Sequence, residues 1–425
     1  MKKYNLLVAG GGLSGVAAAV SAAREGLSVL LIEKSGSLGG AISNNLVFPF
    51  MPTRTKIDGE TVDLSAGIFT EMRERHHKKM EEIKGHCVEG SVQSYMIFSP
   101  EDLKFTLDDM IVEAGVDVLF HTSVFEAVSE NGEIKSVKAV TKSGVLEVEA
   151  DFFIDTTGDG ELFALAGCDY QLGRESDGLC QPMTTCFRMS GVDLEGYKRD
   201  REFLHEKYKE LKEKGEILNP REDILVFWGI GEGILHFNTT RIIKHDPTNP
   251  FEISKAEILS RQQIFEIVKF LKKYSSAFEK STVISIANHI GIRESRKLKG
   301  VYVLTGEDLI NCTKFEDSIA LGNYDLDIHN PTGAGTSHHY FKQGEYYTIP
   351  YRSLLPKEYT NLLVAGRCIS ATHEAQASVR IMPICACMGE AAGTAAAVAY
   401  KTGKNAHNVD IVELHNVLVK NGVKF

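Results

Sequence analysis

The sequence is poor in several things, and each shortage narrows the field. Its 425 residues carry 47 Lys and Arg against 57 Asp and Glu, a formal charge of −10. That deficit of positive charge argues against nucleic-acid binding, which needs basic clusters to neutralise phosphates. Eight cysteines lie at 87, 168, 180, 186, 312, 368, 385 and 387, and no two are spaced C-x-x-C. So sparse a set in so long a chain excludes a disulfide framework and reads as reduced thiols. No uninterrupted apolar run reaches the roughly 18 residues of a membrane span. There is no internal repeat and no low-complexity linker. Lys2, Lys3 and the apolar residues after them mimic the opening of a signal peptide. Gly10-Gly11-Gly12 follows instead of a cleavage site, so a mature N-terminal strand and a cytoplasmic location are expected. The 43% apolar and 24% charged fractions describe a globular chain with enough length for a large core.

The first sixty residues carry the clearest pattern. Residues 4–9 (YNLLVA) read as a buried strand, 13–25 as a small-residue helix ended by Gly26, and 27–33 (LSVLLIE) as a second strand. This is a β-α-β unit. Gly10-x-Gly12-x-x-Gly15 sits at its first turn. Gly10 permits the tight turn, Gly12 clears space for a pyrophosphate, and Gly15 lets helix and sheet pack closely. Leu13 and Ser14 open the helix, whose free N–H groups and dipole favour phosphate. Glu33, 18 residues after Gly15, is placed to bond a ribose hydroxyl. Together these features point to a dinucleotide. Lys34 and Gly39-Gly40 then extend Glu33 into an E-K-x(4)-G-G pattern. With a polar stretch following and a second site far off near the C-terminus, this resembles FAD-binding flavoproteins of the glutathione-reductase structural class.

Further elements match that resemblance. Ser99-Pro100 with Asp102 predicts a capped helix over 99–115, and 116–157 reads as three strands joined by turns. The last strand closes in Asp155-Thr-Thr157-Gly158-Asp159-Gly. In the resembled class such a stretch runs past the pyrophosphate, and Val124 falls where a backbone contact to adenine is made. NLLVA (361–365) reads as a strand leading to Gly366-Arg367. Met382 then precedes an Ala-rich helix over 383–401, whose N-terminus would favour negative charge on a reduced flavin.

VAGGGLSGVAAA, DTTGDGELFALAG, GIRESRKLKGVYVLTGEDL, YYTIPYRSLLP and NLLVAGRCISATHEAQASVRIMP together resemble one family. It is the FAD-dependent oxidoreductase family that includes relatives of the flavoprotein component of heterodisulfide reductase. The resemblance covers most of the chain, with gaps near 55–95 and 195–280, and implies FAD as cofactor. Those relatives often carry Cys-rich iron–sulfur motifs. Here the closest cysteines, 385 and 387, lie in a predicted helix, so no metal site is expected.

The expected fold is α/β. A Rossmann-like FAD-binding domain of the glutathione-reductase type (1–54, 96–175 and 353–425) carries an inserted α+β cap or substrate domain (55–95 and 176–352). Helices are predicted at 198–215 and at 254–273, the latter with a Ser254/Glu257 capping box. Catalytic candidates are Arg293, paired with Arg296 on one helical turn to clamp a carboxylate or sugar hydroxyls, and the loop residues His338, His339 and Tyr340 as proton acceptors. Arg380 is placed to stabilise anionic flavin. The expected activity is oxidation of a small polar substrate by hydride transfer to FAD. Two alternatives stand beside it: an electron-transfer flavoprotein working with an iron–sulfur protein partner, and a non-catalytic redox sensor.

Overall fold

The computed structural model describes residues 3–83 and 90–425; Cys87 lies outside them. In chain order, β1 (Lys3–Ala9), α1 (Leu13–Arg24) and β2 (Val29–Ile32) form the expected β-α-β unit. Next come α2 (Ile68–Glu82), α3 (Pro100–Ala114), β3 (Asp117–Leu119), β4 (Ser123–Glu130), β5 (Glu133–Thr141) and β6 (Gly144–Asp155). The second half contains β7 (Phe187–Ser190), α4 (Leu194–Glu213), β8 (Val226–Trp228), β9 (Leu235–Phe237), α5 (Pro250–Tyr274) and β10 (Thr282–Ile286). The chain closes with β11 (Ser318–Gly322), β12 (Tyr347–Pro350), β13 (Leu362–Val364), α6 (Met382–Thr402) and α7 (Ile411–Lys420).

A seven-stranded sheet runs in the order β3-β2-β1-β6-β5-β4, with β13 also on β6. The contacts of β1 with β2 and β6, of β2 with β3, and of β6 with β13 are parallel. β4 and β5 pair antiparallel beyond β6. β2 (VLLI) is buried throughout, as a parallel strand covered on both faces must be. A second, four-stranded antiparallel sheet, β8-β9-β7-β10, has its own core with α4 and α5. The fold is therefore mixed α/β with a Rossmann-like parallel sheet.

The segments expected to form the cap divide by packing. The second sheet buries its own core, whereas Ile68, Phe69 and Met72 of α2 share the core of α1 and α6. Ile319, Ala320, Tyr347 and Ile349 of β11 and β12 join them there.

Helix α6 reaches the length and hydropathy of a membrane span (mean 1.3) although Glu390 interrupts its apolar run; 94% of that stretch is buried inside the protein. Its neighbour is α1. A Cβ at Gly389 would lie 2.0 Å from the Ser14 carbonyl oxygen, and one at Gly393 would lie 2.1 Å from that of Ala18. Backbone packs on backbone here, which only glycine permits.

Three local expectations change. α5 begins at Pro250 under Asn249, whose carboxamide accepts from the Phe251 and Glu252 N–H groups. Ser254 lies inside the helix, its hydroxyl donating to the Pro250 carbonyl at 2.6 Å. A nearer cap with proline behind it wins over the Ser254/Glu257 spacing. α4 likewise starts at Leu194 because Asp193 caps it. Arg293 and Arg296 are not on a helical turn: Arg296 opens a short strand, Arg296–Leu298, that pairs with Tyr170–Leu172.

Glu390 is 1% exposed. One carboxylate oxygen accepts from the Ile68 N–H at 2.8 Å, satisfying the start of α2. Burial raises its pKa to about 8 from an ordinary 4.5. Between these values the folded protein holds a proton that the unfolded chain releases, so stability falls as pH rises through that window, by at most about 1.4 kcal/mol per pH unit. Glu390→Gln keeps the acceptor and removes the ionisation. Its melting temperature relative to the parent protein is expected to rise between pH 5 and pH 8, and parallel curves would refute the assignment.

Candidate functional site

One cavity of about 1010 Å³ opens at the carboxyl ends of the parallel strands, where Ala9, Ile32 and Thr156 contribute to its wall. Such strand ends are the usual ligand position in α/β sheets. The local backbone explains its shape. Gly10 has φ +103°, and a Cβ there would lie 2.6 Å from the Thr156 carbonyl oxygen. A Cβ at Gly15 would lie 1.8 Å from the Gly10 carbonyl oxygen. Strand, turn and helix thus meet without side chains between them. Of the expected cofactor residues, all but Gly15 line the cavity; Gly15 packs behind it.

The fit to a dinucleotide rests on unsatisfied donors. α3, α4, α5 and α7 each begin under a side-chain cap, and α2 has Glu390. α1 and α6, which both start at the cavity, have no side-chain cap. Their first N–H groups are left for a ligand. Ser14 Oγ is buried without a partner and faces the same space. Glu33 is held by the N–H groups of Gly11 (2.6 Å) and Ser35 (2.7 Å). Asp159 accepts from Arg367 at 2.8 Å and from Ser295 at 2.7 Å; the Arg367 charge holds its carboxyl below the ordinary range against the effect of burial. Lys34 pairs with Glu161 at 2.8 Å.

Beyond these loops the cavity continues to Arg293, His338 and Arg380. His339 and Tyr340 do not line it. His338, although exposed, contributes to the cavity wall, while the His339 ring packs on Phe341 at 5.3 Å and its carbonyl accepts from the Leu326 N–H. Tyr340 is 70% exposed and stacks on the His338 ring at 5.2 Å. Arg296 lines the cavity, but its Nη1 donates to the Asp159 carbonyl. Glu294 is fully buried away from Arg293 and pairs with Lys297 and, at 2.7 Å, His373 Nδ1.

Sequence reasoning missed the acidic centre of this region. Asp327 Oδ2 lies 3.1 Å from His329 Nε2, 3.3 Å from Arg380 Nη2 and 3.3 Å from the Tyr324 hydroxyl. His329 Nδ1 faces Arg241 Nη2 at 2.8 Å. A guanidinium only donates, so Nδ1 accepts and Nε2 carries the proton toward Asp327. Burial, reinforced by Arg293, lowers the His329 pKa to about 3, so the ring is neutral at pH 7. Burial alone would raise Asp327; the His329 hydrogen bond and the Arg380 and Arg293 charges lower it below its ordinary value. His338 Nδ1 contacts Asp325 Oδ2 at 2.5 Å. The alternation Asp325-x-Asp327-x-His329 was the available signal, since strand-like spacing puts all three on one side.

Asp325, Asp327 and His338 also bring potential metal-ligating atoms within 4.8 Å of one another. Arg380 and His329 already engage Asp327 there. Two thiols reach the cavity wall, Cys186 and Cys385. Burial pushes them up to about 11 and about 12, respectively, so both stay protonated and lack the reactive thiolate.

The parallel sheet, the glycine turn and the two uncapped helices define a dinucleotide-binding α/β protein. Residues 5–418 match the family described as FAD dependent oxidoreductase, and the chain belongs to that family; its cofactor is FAD. Searching curated proteins gives no match. Among solved structures, a geranylgeranyl bacteriochlorophyll reductase-like protein from Thermoplasma acidophilum is 15% identical with a TM-score of 0.49, the match covering 100% of this chain and 85% of that one. A flavin-dependent brominase is 12% identical at 0.48, covering 98% and 83%. L-proline dehydrogenase from P. horikoshii is 13% identical at 0.44, covering 99% and 98%.

Gly12 separates folding from cofactor binding. Its φ is −68°, and an added Cβ would meet nothing nearer than Gly40 Cα at 3.9 Å. Gly12→Ala is expected to fold with unchanged circular dichroism yet hold FAD about tenfold or more weakly, since one charge-assisted backbone bond is worth about 1.5–3 kcal/mol. Flavin absorbance per polypeptide after gel filtration checks this; full retention would place the phosphates elsewhere.

Proposed function

We propose that this protein is an FAD-dependent dehydrogenase of the glutathione-reductase structural type that oxidises a small polar organic substrate. The observation that carries this reading is the single cavity running from the glycine turn to the polar cluster at Arg293, His338 and Arg380. The free N–H groups of α1, with Ser14 and Glu33, would hold the pyrophosphate and ribose. Thr157–Asp159, Gly366, Arg367 and Met382 would hold the rest. When bound, FAD supplies the acceptor for a hydride leaving a substrate C–H. The protein's own task is to orient that C–H and take up the accompanying proton. The second sheet with α4 and α5 is the cap over the substrate.

His338 is the proton acceptor in this scheme. Asp325 accepts a hydrogen bond from Nδ1–H, which leaves the Nε2 lone pair to act as base. His329 is excluded because Arg241 occupies its lone pair. The protonated Cys186 and Cys385 argue against thiol–disulfide exchange, in which the thiolate attacks. An electron-transfer flavoprotein would need only a flavin edge within reach of its partner; a polar chamber extending past the cofactor loops favours a small-molecule substrate.

The test is anaerobic absorption spectroscopy of the FAD-loaded protein with sugars, hydroxy acids and amines. Bleaching by one class is expected. Failure of every member to bleach the flavin, with an iron–sulfur protein co-purifying, would favour electron transfer. With the bleaching substrate in hand, His338→Asn is expected to slow reduction about 10²–10⁴-fold at pH 7 while keeping the parent FAD content. An unchanged rate would remove His338 from the reaction.

A further inference from the structure

We propose that Arg293 and Arg380 form a cradle for a carboxylate, so that the substrate is an organic carboxylate. This deepens the dehydrogenase reading and rests on the cavity being the substrate chamber.

The other cations around the chamber are engaged near the cofactor loops or in ion pairs: Arg296 donates to the Asp159 carbonyl at 3.2 Å. Arg221 pairs with Asp223 at 2.7 Å, Arg241 with Glu222 at 3.3 Å, Arg367 with Asp159 at 2.8 Å and Lys34 with Glu161 at 2.8 Å. Arg293 has no carboxylate partner among the described residues. Its Nη1 donates to the Pro182 carbonyl (2.7 Å) and the Thr184 hydroxyl (2.5 Å), and its Nη2 reaches the Asn238 side-chain oxygen only at 3.5 Å. All three acceptors are neutral. They orient the guanidinium without cancelling its charge. Burial, with repulsion from Arg380 and Arg221, pulls its pKa down to about 9, which still leaves it charged at pH 7.

Arg380 has one carboxylate contact, Asp327 at 3.3 Å, and its Nε is buried with no acceptor. Both arginines line the same cavity. Asp327 is the carboxylate that touches this pair, and it does so through Arg380; among the described residues no carboxylate touches the Arg293 fork. A buried, unpaired charge is strongly unfavourable unless a ligand supplies the counter-charge. The planar fork of a guanidinium matches a carboxylate's two oxygens. The position also separates this cradle from the cofactor phosphates. Arg380 directly precedes Ile381, the N-cap of α6, whereas the pyrophosphate turn is at α1.

The experiment uses the FAD-loaded full chain and three pairs of probes: acetate against acetamide, glycolate against ethylene glycol, and lactate against propane-1,2-diol. Binding is read by perturbation of the oxidised flavin spectrum and by thermal shift, so no turnover is needed. Each carboxylate is expected to bind saturably and its neutral partner at least tenfold more weakly. Arg293→Gln and Arg380→Gln are each expected to weaken glycolate about tenfold to a hundredfold, the loss from one or two charge-assisted hydrogen bonds. Arg293→Lys, which keeps charge but not the fork, should fall between. FAD content verifies that each variant is folded and loaded.

Equal binding of neutral and anionic partners overturns the proposal. So does an unchanged glycolate affinity in loaded Arg380→Gln, even if the flavin potential moves, because the arginine would then serve the cofactor ring alone. The two readings fail separately. Carboxylates that bind through both arginines without bleaching the flavin uphold the cradle and count against the dehydrogenase. A neutral alcohol that bleaches it while carboxylates do not bind upholds the dehydrogenase and removes the cradle.

Discussion

The structure depends on backbone touching backbone around the start of α1. The Gly10 carbonyl sits where a Cβ of Gly15 would be, and Thr156 presses on Gly10 from β6. From the other side Gly389 of α6 meets the Ser14 carbonyl. Each contact removes the spacing that side chains normally impose on packed elements, so the N-terminus of α1 is held between sheet and helix with little freedom. A helix end fixed this way can leave its N–H groups uncapped without fraying. The cost of those unsatisfied donors is what a bound phosphate relieves.

The same logic recurs at the other end of the cavity with charges in place of dipoles. Arg293 is oriented by neutral oxygens, and Arg380 is positioned by Asp327. Asp327 is in turn fixed by His329, whose tautomer Arg241 dictates. This set of hydrogen bonds runs from Arg241, in the loop after β9, to Arg380 just before α6. Each member is useful because the next one restricts it. Leaving the Arg293 guanidinium without a carboxylate is unfavourable in isolation, and its hydrogen bonds to neutral oxygens hold it in place.

How much of this was legible in the sequence follows from how local each contact is. The β-α-β unit, the glycine turn and Glu33 lie within 33 residues, and spacing alone carries their geometry. Thr157–Asp159 and Gly366–Arg367 were readable because each directly follows a strand of the same sheet. The far end of the cavity was harder. Thr184, Asn238, Arg293, Asp327 and Arg380 come from five separate stretches, and no periodicity links them. His339 and Tyr340 looked equivalent to His338 because their loop has no regular spacing, and side-chain direction decided among the three. Pairing Arg293 with Arg296 failed for a related reason: an i,i+3 relation has meaning only on a helix, and this segment bends into a strand. The α5 cap failed because Ser254 and Glu257 had the right interval in the wrong place.

The cavity thiols complete the physical picture. Cys385 lies on α6 one turn from its start, where a helix dipole would lower a thiol's pKa if the site were wet. It is instead buried, with its S–H directed at the Arg380 carbonyl at 3.2 Å, and burial wins. A neutral thiol at that position adds no negative charge. The uncapped N–H groups of α6 and the Arg293 guanidinium, held only by neutral acceptors, therefore act in the same direction. An uncapped helix start and an arginine fork held only by neutral oxygens, with neutral thiols beside them, both favour a ligand group that brings negative charge.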